Sequence, residues 1–210
     1  ELFRLLDIPV FYDVQSLSGV MHIDTGRLNV LIEKPHKFYR RYSIRKRSGG
    51  DRDIHQPNQE MKAVQAWILR NILDRLTPSV HATAFLKGVG LRNNAEPHAN
   101  NRYFLCVDIE DFFPSIARNR VRHVFSTIGY SRNASSILTR LCTCSEGLPQ
   151  GGVTSPALSN LVSSQMDRRM SGLAANRNLI YTRYADDLTF SAGTPVAVQR
   201  ALPVVQEIIE

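Results

Sequence analysis

Ile180-Tyr181-Thr182-Arg183-Tyr184-Ala185-Asp186-Asp187-Leu188-Thr189-Phe190-Ser191 is the stretch on which the fold turns. Two β-prone runs flank a pair of adjacent acids, which reads as strand, turn, strand. A hairpin tip can hold carboxylates rigidly, and clustered carboxylates bind hard divalent cations. Taken alone, an Asp-Asp pair is more often a turn feature, because Asp caps its own backbone. The chain offers a third acid, Asp108, at the end of the apolar run Tyr103-Phe104-Leu105-Cys106-Val107. Adjacent strand residues point to opposite faces. Asp186 is therefore expected to join Asp108, with Asp187 peripheral unless the turn re-aims it.

The rest of the chain gives that triad context. With 26 basic and 19 acidic residues, the 210-residue chain has a formal charge of +7. Such a balance favours a polyanionic partner, nucleic acid first. Hydrophobic content of 43% is enough for a core and argues against disorder. No apolar run reaches the ~18 residues of a membrane span, so no membrane partner is expected. Glu1-Leu2-Phe3-Arg4 does not have the pattern of a signal peptide. Three cysteines make no disulfide framework and fit a reducing cytoplasm. Cys106, alternating with apolar neighbours, reads as a core thiol.

Local patterns place the remaining elements. Residues 1–36 read as short helices. Tyr39–Arg45 and Asp51–His55 read as strands joined by the basic turn Lys46-Arg47-Ser48-Gly49-Gly50. Apolar residues at Met61, Val64, Ile68, Ile72 and Leu76 have helical spacing. Arg118–Ile128 and Ala134–Cys142 read as helices. Ser155-Pro156 opens a helix running to about Arg169. Thr194-Pro195 opens a last one, in which Pro203 argues for a kink or early stop. Strands and helices do not strictly alternate, so the expected class is α+β.

Two further segments bear on chemistry. In Asp108-Ile109-Glu110-Asp111-Phe112-Phe113-Pro114-Ser115, three acids, Asp108 included, precede two aromatics. Backbone amides of Asp111 and Phe112 are candidates to face a triphosphate. Phe113 is a candidate to sit under the sugar and exclude a 2′-hydroxyl; core packing accounts for one of the two rings. Leu148-Pro149-Gln150-Gly151-Gly152 is a glycine-rich turn that permits close backbone approach to a ligand.

Four blocks in order, Val107 to Ser115, Leu148 to Gly151, Thr154 to Leu161 and Tyr184 to Asp187, resemble bacterial reverse transcriptases. Asn94-Ala95-Glu96-Pro97-His98 and Thr182 to Ser191 resemble the retron members in particular. The resemblance extends over nearly the whole chain. It implies a right-hand polymerase with interleaved fingers and palm. Residues 1–107 would be mainly fingers, with the basic hairpin at about 39–55. Residues 108–116 would form the first palm strand, 117–150 a helical insertion, and 151–210 palm with the aspartate hairpin.

On the same resemblance, Asp108, Asp186 and Asp187 are the catalytic aspartates. Together with the Ile109 carbonyl they would hold two Mg²⁺ ions, with Mn²⁺ as a substitute. Lys46, Arg52, Asp111, Phe112, Phe113 and Gln150 would bind the incoming nucleotide. Asn94 and His98 are candidates to contact RNA; for His98, a structural bond to a loop is the equal alternative. Implied partners are template RNA, RNA–DNA hybrid, dNTPs, a retron non-coding RNA and an effector protein in antiphage defence. The family continues past the hairpin into more palm and a thumb. This sequence ends at Glu210, so the isolated chain is expected to polymerise poorly. Alternatives are a group II intron or diversity-generating reverse transcriptase, against which Asn94 to His98 argues, and a catalytically idle nucleic-acid-binding module.

Overall fold

The computed structural model describes residues 2–45 and 49–209. In chain order its helices are α1 (Leu2–Leu5), α2 (Val14–Met21), α3 (Thr25–Glu33), α4 (Gln59–Asn71), α5 (Leu91–Ala95) and α6 (Phe112–Ser115). They continue as α7 (Arg118–Ile128), α8 (Arg132–Cys142), α9 (Ser155–Val162), α10 (Ser164–Asn176) and α11 (Pro195–Ile209). The strands are β1 (Tyr39–Arg45), β2 (Asp51–Pro57), β3 (Tyr103–Asp108), β4 (Ile180–Tyr184) and β5 (Asp187–Ala192). Helices and antiparallel sheets are mixed, as α+β implies. The chain forms two compact, interleaved units: Glu1–Thr77 with Phe113–Val162, and Pro78–Phe112 with Ser163–Glu210. They divide the chain at 77, 112 and 162.

The first unit is mostly helical. Asp13, Asp24, Asn58 and Ser131 each cap a helix N-terminus by accepting from the third backbone amide of the helix or its neighbour. Helices α3 and α4 pack on α8, whose Leu138 and Leu141 are fully buried. At their centre Gln65 has no exposed surface. Its Nε2 donates to the Tyr39 hydroxyl at 2.6 Å and the Leu141 carbonyl at 2.8 Å, and its Oε1 accepts from the Val153 amide at 3.0 Å. This satisfied amide ties the base of β1 to α8 and to the loop before α9. Strands β1 and β2 pair antiparallel from Tyr39↔Pro57 to Arg45↔Asp51. The helical spacing at Met61 to Leu76 is met by α4 followed by a 3-10 turn at Leu73–Arg75.

The second unit is a three-stranded antiparallel sheet, order β3-β5-β4, backed by α10 and α11. One face is core: Leu188, Phe190, Ala192 and Tyr181 pack with Met170, Ala174, Val198, Ala201 and Val205, and Leu105 and Val107 join from β3. The segment 81–83 lines the outer edge of β4: the Thr83 amide donates to the Arg183 carbonyl and the Arg183 amide to the His81 carbonyl, both at 2.8 Å. A paired edge cannot recruit a stray strand.

Three expectations need correction. The helix from Ser155 is broken at Ser163, whose ψ of −5° departs from the helical value and separates α9 from α10. Helix α11 passes through Pro203 instead of ending there; Pro203 is exposed, while Val198, Ala201 and Val205 bury the opposite stripe and hold the helix to the core. Cys106 is exposed rather than in the core. Its strand, β3, is at the sheet edge, and the alternation that buries Leu105 and Val107 turns Phe104, Cys106 and Asp108 to the other face.

Candidate active site

The open face of the sheet gathers the acids. In the β3–β5 register Asp108 lies directly opposite Asp187, and residues directly opposite share a face. Asp186 is the second residue of the two-residue turn between Tyr184 and Asp187, a pair closing the β4–β5 ladder. Its carbonyl accepts from the Ile109 amide at 3.2 Å. The register thus sets Asp187 across from Asp108 and leaves Asp186 in the turn beside them. Burial raises the Asp187 pKa, and the like charges of Asp186 and Asp108 raise it further. Asp187 thus lies within electrostatic reach of both other carboxylates.

That donor set suits a hard divalent cation, since all its ligand atoms are carboxylate oxygens. Among the described residues no group of three His, Cys, Asp or Glu side chains is arranged to hold a metal ion.

Beneath the turn lies a network that motif reading did not single out. Arg183 and Asp167 have no exposed side-chain surface. Nε of Arg183 donates to Oδ1 of Asp167 and Nη2 to Oδ2, each at 2.8 Å, a bidentate pair. The Tyr181 hydroxyl donates to Oδ1 as well, at 2.8 Å. The remaining Nη1 donates to the Ala185 carbonyl at 3.0 Å. Ala185 has φ of 59°, a left-handed conformation that a non-glycine residue holds only when its surroundings impose it. The buried guanidinium therefore braces, from the core face, the turn that presents Asp186 and Asp187. A signal was present in sequence: Arg183 alternates with Tyr181 onto the core face, and Asp167 lies on the buried α10 stripe with Met170 and Ala174. Opposite charges at two core positions require each other.

His98 takes the structural of its two roles. It is 3% exposed, its Nδ1 lies 2.6 Å from the Ser191 hydroxyl, and its Nε2 lies 2.8 Å from that of Thr182. Both ring nitrogens are engaged inside the fold, so the imidazole is not presented to RNA. Burial lowers its pKa and keeps it neutral. Asn94 accepts from the Thr83 hydroxyl at 2.9 Å through its side chain and from the Thr182 hydroxyl at 3.4 Å through its backbone. The Asn94 to His98 element thus clips the sheet.

Asp111 is exposed with φ of 47°, immediately before α6, and Phe112 is buried. In the first unit, Phe113 is half-buried, and Arg52 is exposed on β2. The Gln150 carbonyl accepts from the His55 amide at 2.8 Å, anchoring the 148–152 loop to β2. Gly151 (φ 114°) lies so close that a Cβ there would come within 3.2 Å of both the His55 carbonyl and Ile54 Cγ2. Ile54 and Arg52 share a ribbon face, two residues apart, so Arg52 lies on the face that meets the Gln150 loop. Lys46 lies outside the described residues.

Comparison with known proteins accords with this arrangement. The family model for reverse transcriptase (RNA-dependent DNA polymerase) matches residues 44–210. The chain is 43% identical to the retron Ec86 reverse transcriptase of Escherichia coli over 99% of its length. It is 33% identical to the retron Mx65 reverse transcriptase of Myxococcus xanthus over 97% of its length, and 35% identical to that organism's retron Mx162 enzyme over 82%. It spans 66%, 53% and 41% of those relatives' own lengths, respectively. Taken with the acids at the β3 and β4–β5 ends, these matches mean that the chain belongs to the reverse transcriptase family, as a retron-type member.

Proposed function

We propose that this chain carries the catalytic core of a retron RNA-directed DNA polymerase, which copies a folded non-coding RNA into DNA and yields a branched RNA–DNA product. The observation that carries the reading is the in-register pairing of Asp108 with Asp187 beside the Asp186 turn. The second unit then corresponds to the palm and the first to fingers.

Asp108, Asp186 and Asp187, with the Ile109 carbonyl, are the groups that would hold two Mg²⁺ ions, or Mn²⁺ in their place. Such ions, when bound, neutralise the triphosphate and activate the attacking hydroxyl. The chain's own contribution is positioning and preorganised charge. Lys46 and Arg52 grip the triphosphate, the amides of Asp111 and Phe112 receive its oxygens, Phe113 gates the sugar, and Gln150 lines the nucleotide pocket. Arg183 fixes the turn from below, so that two carboxylates need no reorganisation when nucleotide arrives. The substrates are dNTPs and a template RNA, which becomes an RNA–DNA hybrid. With the retron reading we further propose an effector protein as partner, an antiphage role and cytoplasmic residence. Among the described residues no helix is long and apolar enough to cross a membrane. All three aspartates are present, which disfavours an idle module.

The test is to express the protein from its own locus beside an Asp186→Asn control and extract small nucleic acids. The reading predicts a discrete DNA species, shifted by RNase or debranching treatment and missing from the control. RNA-templated synthesis without that species would keep the polymerase and reject the retron product.

A further inference from the structure

The first unit contains an arginine-lined trough that none of the roles above uses. Two depressions, of about 730 and 400 Å³, share Arg118, Arg140 and Glu146 as lining. The larger adds Arg41 and His36, and the smaller adds Arg122. These guanidinium groups come from β1, the first two turns of α7 and the last turn of α8. Four arginines thus face two carboxylates, Glu33 and Glu146.

Two of the four arginines bond to neutral hydroxyls. Nη2 of Arg41 donates to the Ser145 hydroxyl at 2.9 Å, and Nε of Arg118 donates to the Thr143 hydroxyl at 3.2 Å. A guanidinium has five N–H donors, and a hydroxyl partner leaves its charge uncompensated. The nearest carboxylate, Glu146, is 3.8 Å from Arg118 and its side chain is 93% exposed, a pairing worth little. The turn carrying Ser145 and Glu146 is rigid. Cys144 and Gly147 exchange backbone bonds at 3.1 and 3.4 Å, and a Cβ at Gly147 would lie 2.4 Å from the Pro114 carbonyl. The Arg118 amide also donates to the Glu146 carbonyl at 3.0 Å. Guanidinium forks held open on a fixed frame suit phosphate better than a flexible lysine patch does.

We propose that this trough binds the sugar–phosphate backbone of the protein's RNA, as a site additional to the nucleotide pocket. The inference rests on the RNA-binding part of the function proposed above. The lining favours backbone over base recognition. Of its two rings, Tyr39 is buried with its hydroxyl occupied by Gln65, which leaves only the exposed imidazole of His36 beside four guanidinium groups. The trough's length over two depressions fits a strand rather than a single phosphate.

The experiment is fluorescence anisotropy with a labelled RNA hairpin bearing a single-stranded arm, at several salt concentrations. Wild type is compared with Arg118→Gln/Arg140→Gln. Loss of two phosphate contacts should weaken binding about tenfold or more at low salt and make the plot of log affinity against log salt shallower by about 2. An Arg118→Lys/Arg140→Lys variant should restore most of the slope. Equal affinity and slope in wild type and the glutamine variant would overturn the trough while leaving RNA binding intact; absence of RNA binding by wild type would overturn the functional reading with it. Phenylglyoxal modification of the wild-type protein, read by mass spectrometry, gives a test independent of substitution. RNA should protect Arg118 and Arg140. Protection by dNTP alone, or none by RNA, would contradict the assignment.

Discussion

Two antiparallel hairpins in this molecule are built to opposite rules. The β4–β5 hairpin buries every residue from Tyr181 to Arg183 and packs Leu188 and Phe190 into the core. Its turn is braced from inside by a fully buried ion pair. The β1–β2 ribbon buries Tyr39 and Pro57 at its base and leaves most of the rest exposed, Tyr42 and Ile44 included. A two-stranded ribbon is marginal by itself; this one depends on Gln65 and on the His55–Gln150 bond at its root. The contrast matches the demands that the proposed function would place on each. Carboxylates that must stay close despite mutual repulsion need a rigid frame. Cationic groups that meet a mobile polyanion need reach.

The largest effect should come from the acids. Asp108→Asn or Asp186→Asn should lower single-nucleotide incorporation on the order of 10³-fold, the scale of a lost preorganised electrostatic contact. RNA affinity should stay within about twofold by anisotropy. A collapse of RNA binding would mean that the acids are structural.

The brace comes next. Arg183→Met leaves the Asp167 charge buried alone and should cost about 3–5 kcal/mol in chemical denaturation. Arg183→Met/Asp167→Leu should recover much of that loss while incorporation stays low, because the Ala185 carbonyl still lacks its donor. Full activity in the double variant would show that the pair stabilises the sheet without positioning the turn.

The ribbon should behave in the reverse way. Arg52→Ala should change stability by no more than about 0.5 kcal/mol, as exposed sites do. Its dNTP KM should rise about tenfold, equivalent to about 1.4 kcal/mol. An unfolded variant with unaltered KM in its folded fraction would erase the contrast between the hairpins.

The smallest effect is a pH dependence. His98 is held neutral, with its pKa below the ordinary value. The unfolded chain therefore takes up this proton first. The His98 contribution is present above about pH 6.5, the unfolded value, and is lost as pH falls from there through the folded pKa. His98→Gln should flatten that part of the stability–pH curve. Identical slopes in variant and wild type would remove His98 as the cause.

Much of this was legible because the sequence carries both local pattern and family motif. The hairpin at 180–191, the helix Arg118–Ile128 and the basic ribbon follow from alternation, helical spacing and turn chemistry. The register at the acids was not legible: whether Asp187 begins the strand or belongs to the turn is a one-residue matter. Cys106 was misread because β3 has the composition of a buried strand but lies at the sheet edge. The continuity of α11 through Pro203 depends on packing of the opposite face, which proline propensity does not encode. Arg183 and Asp167 were individually unremarkable, and their pairing required the fold to bring α10 against β4.

The most direct test is incorporation of one dNTP on a defined RNA template with a DNA primer by the protein expressed from its own gene, with Mg²⁺ and with chelator, beside Asp186→Asn. The account predicts Mg²⁺-dependent extension by wild type and none by the variant. Equal extension by both proteins, or extension undiminished by chelator, would contradict the assignment of chemistry to the three aspartates.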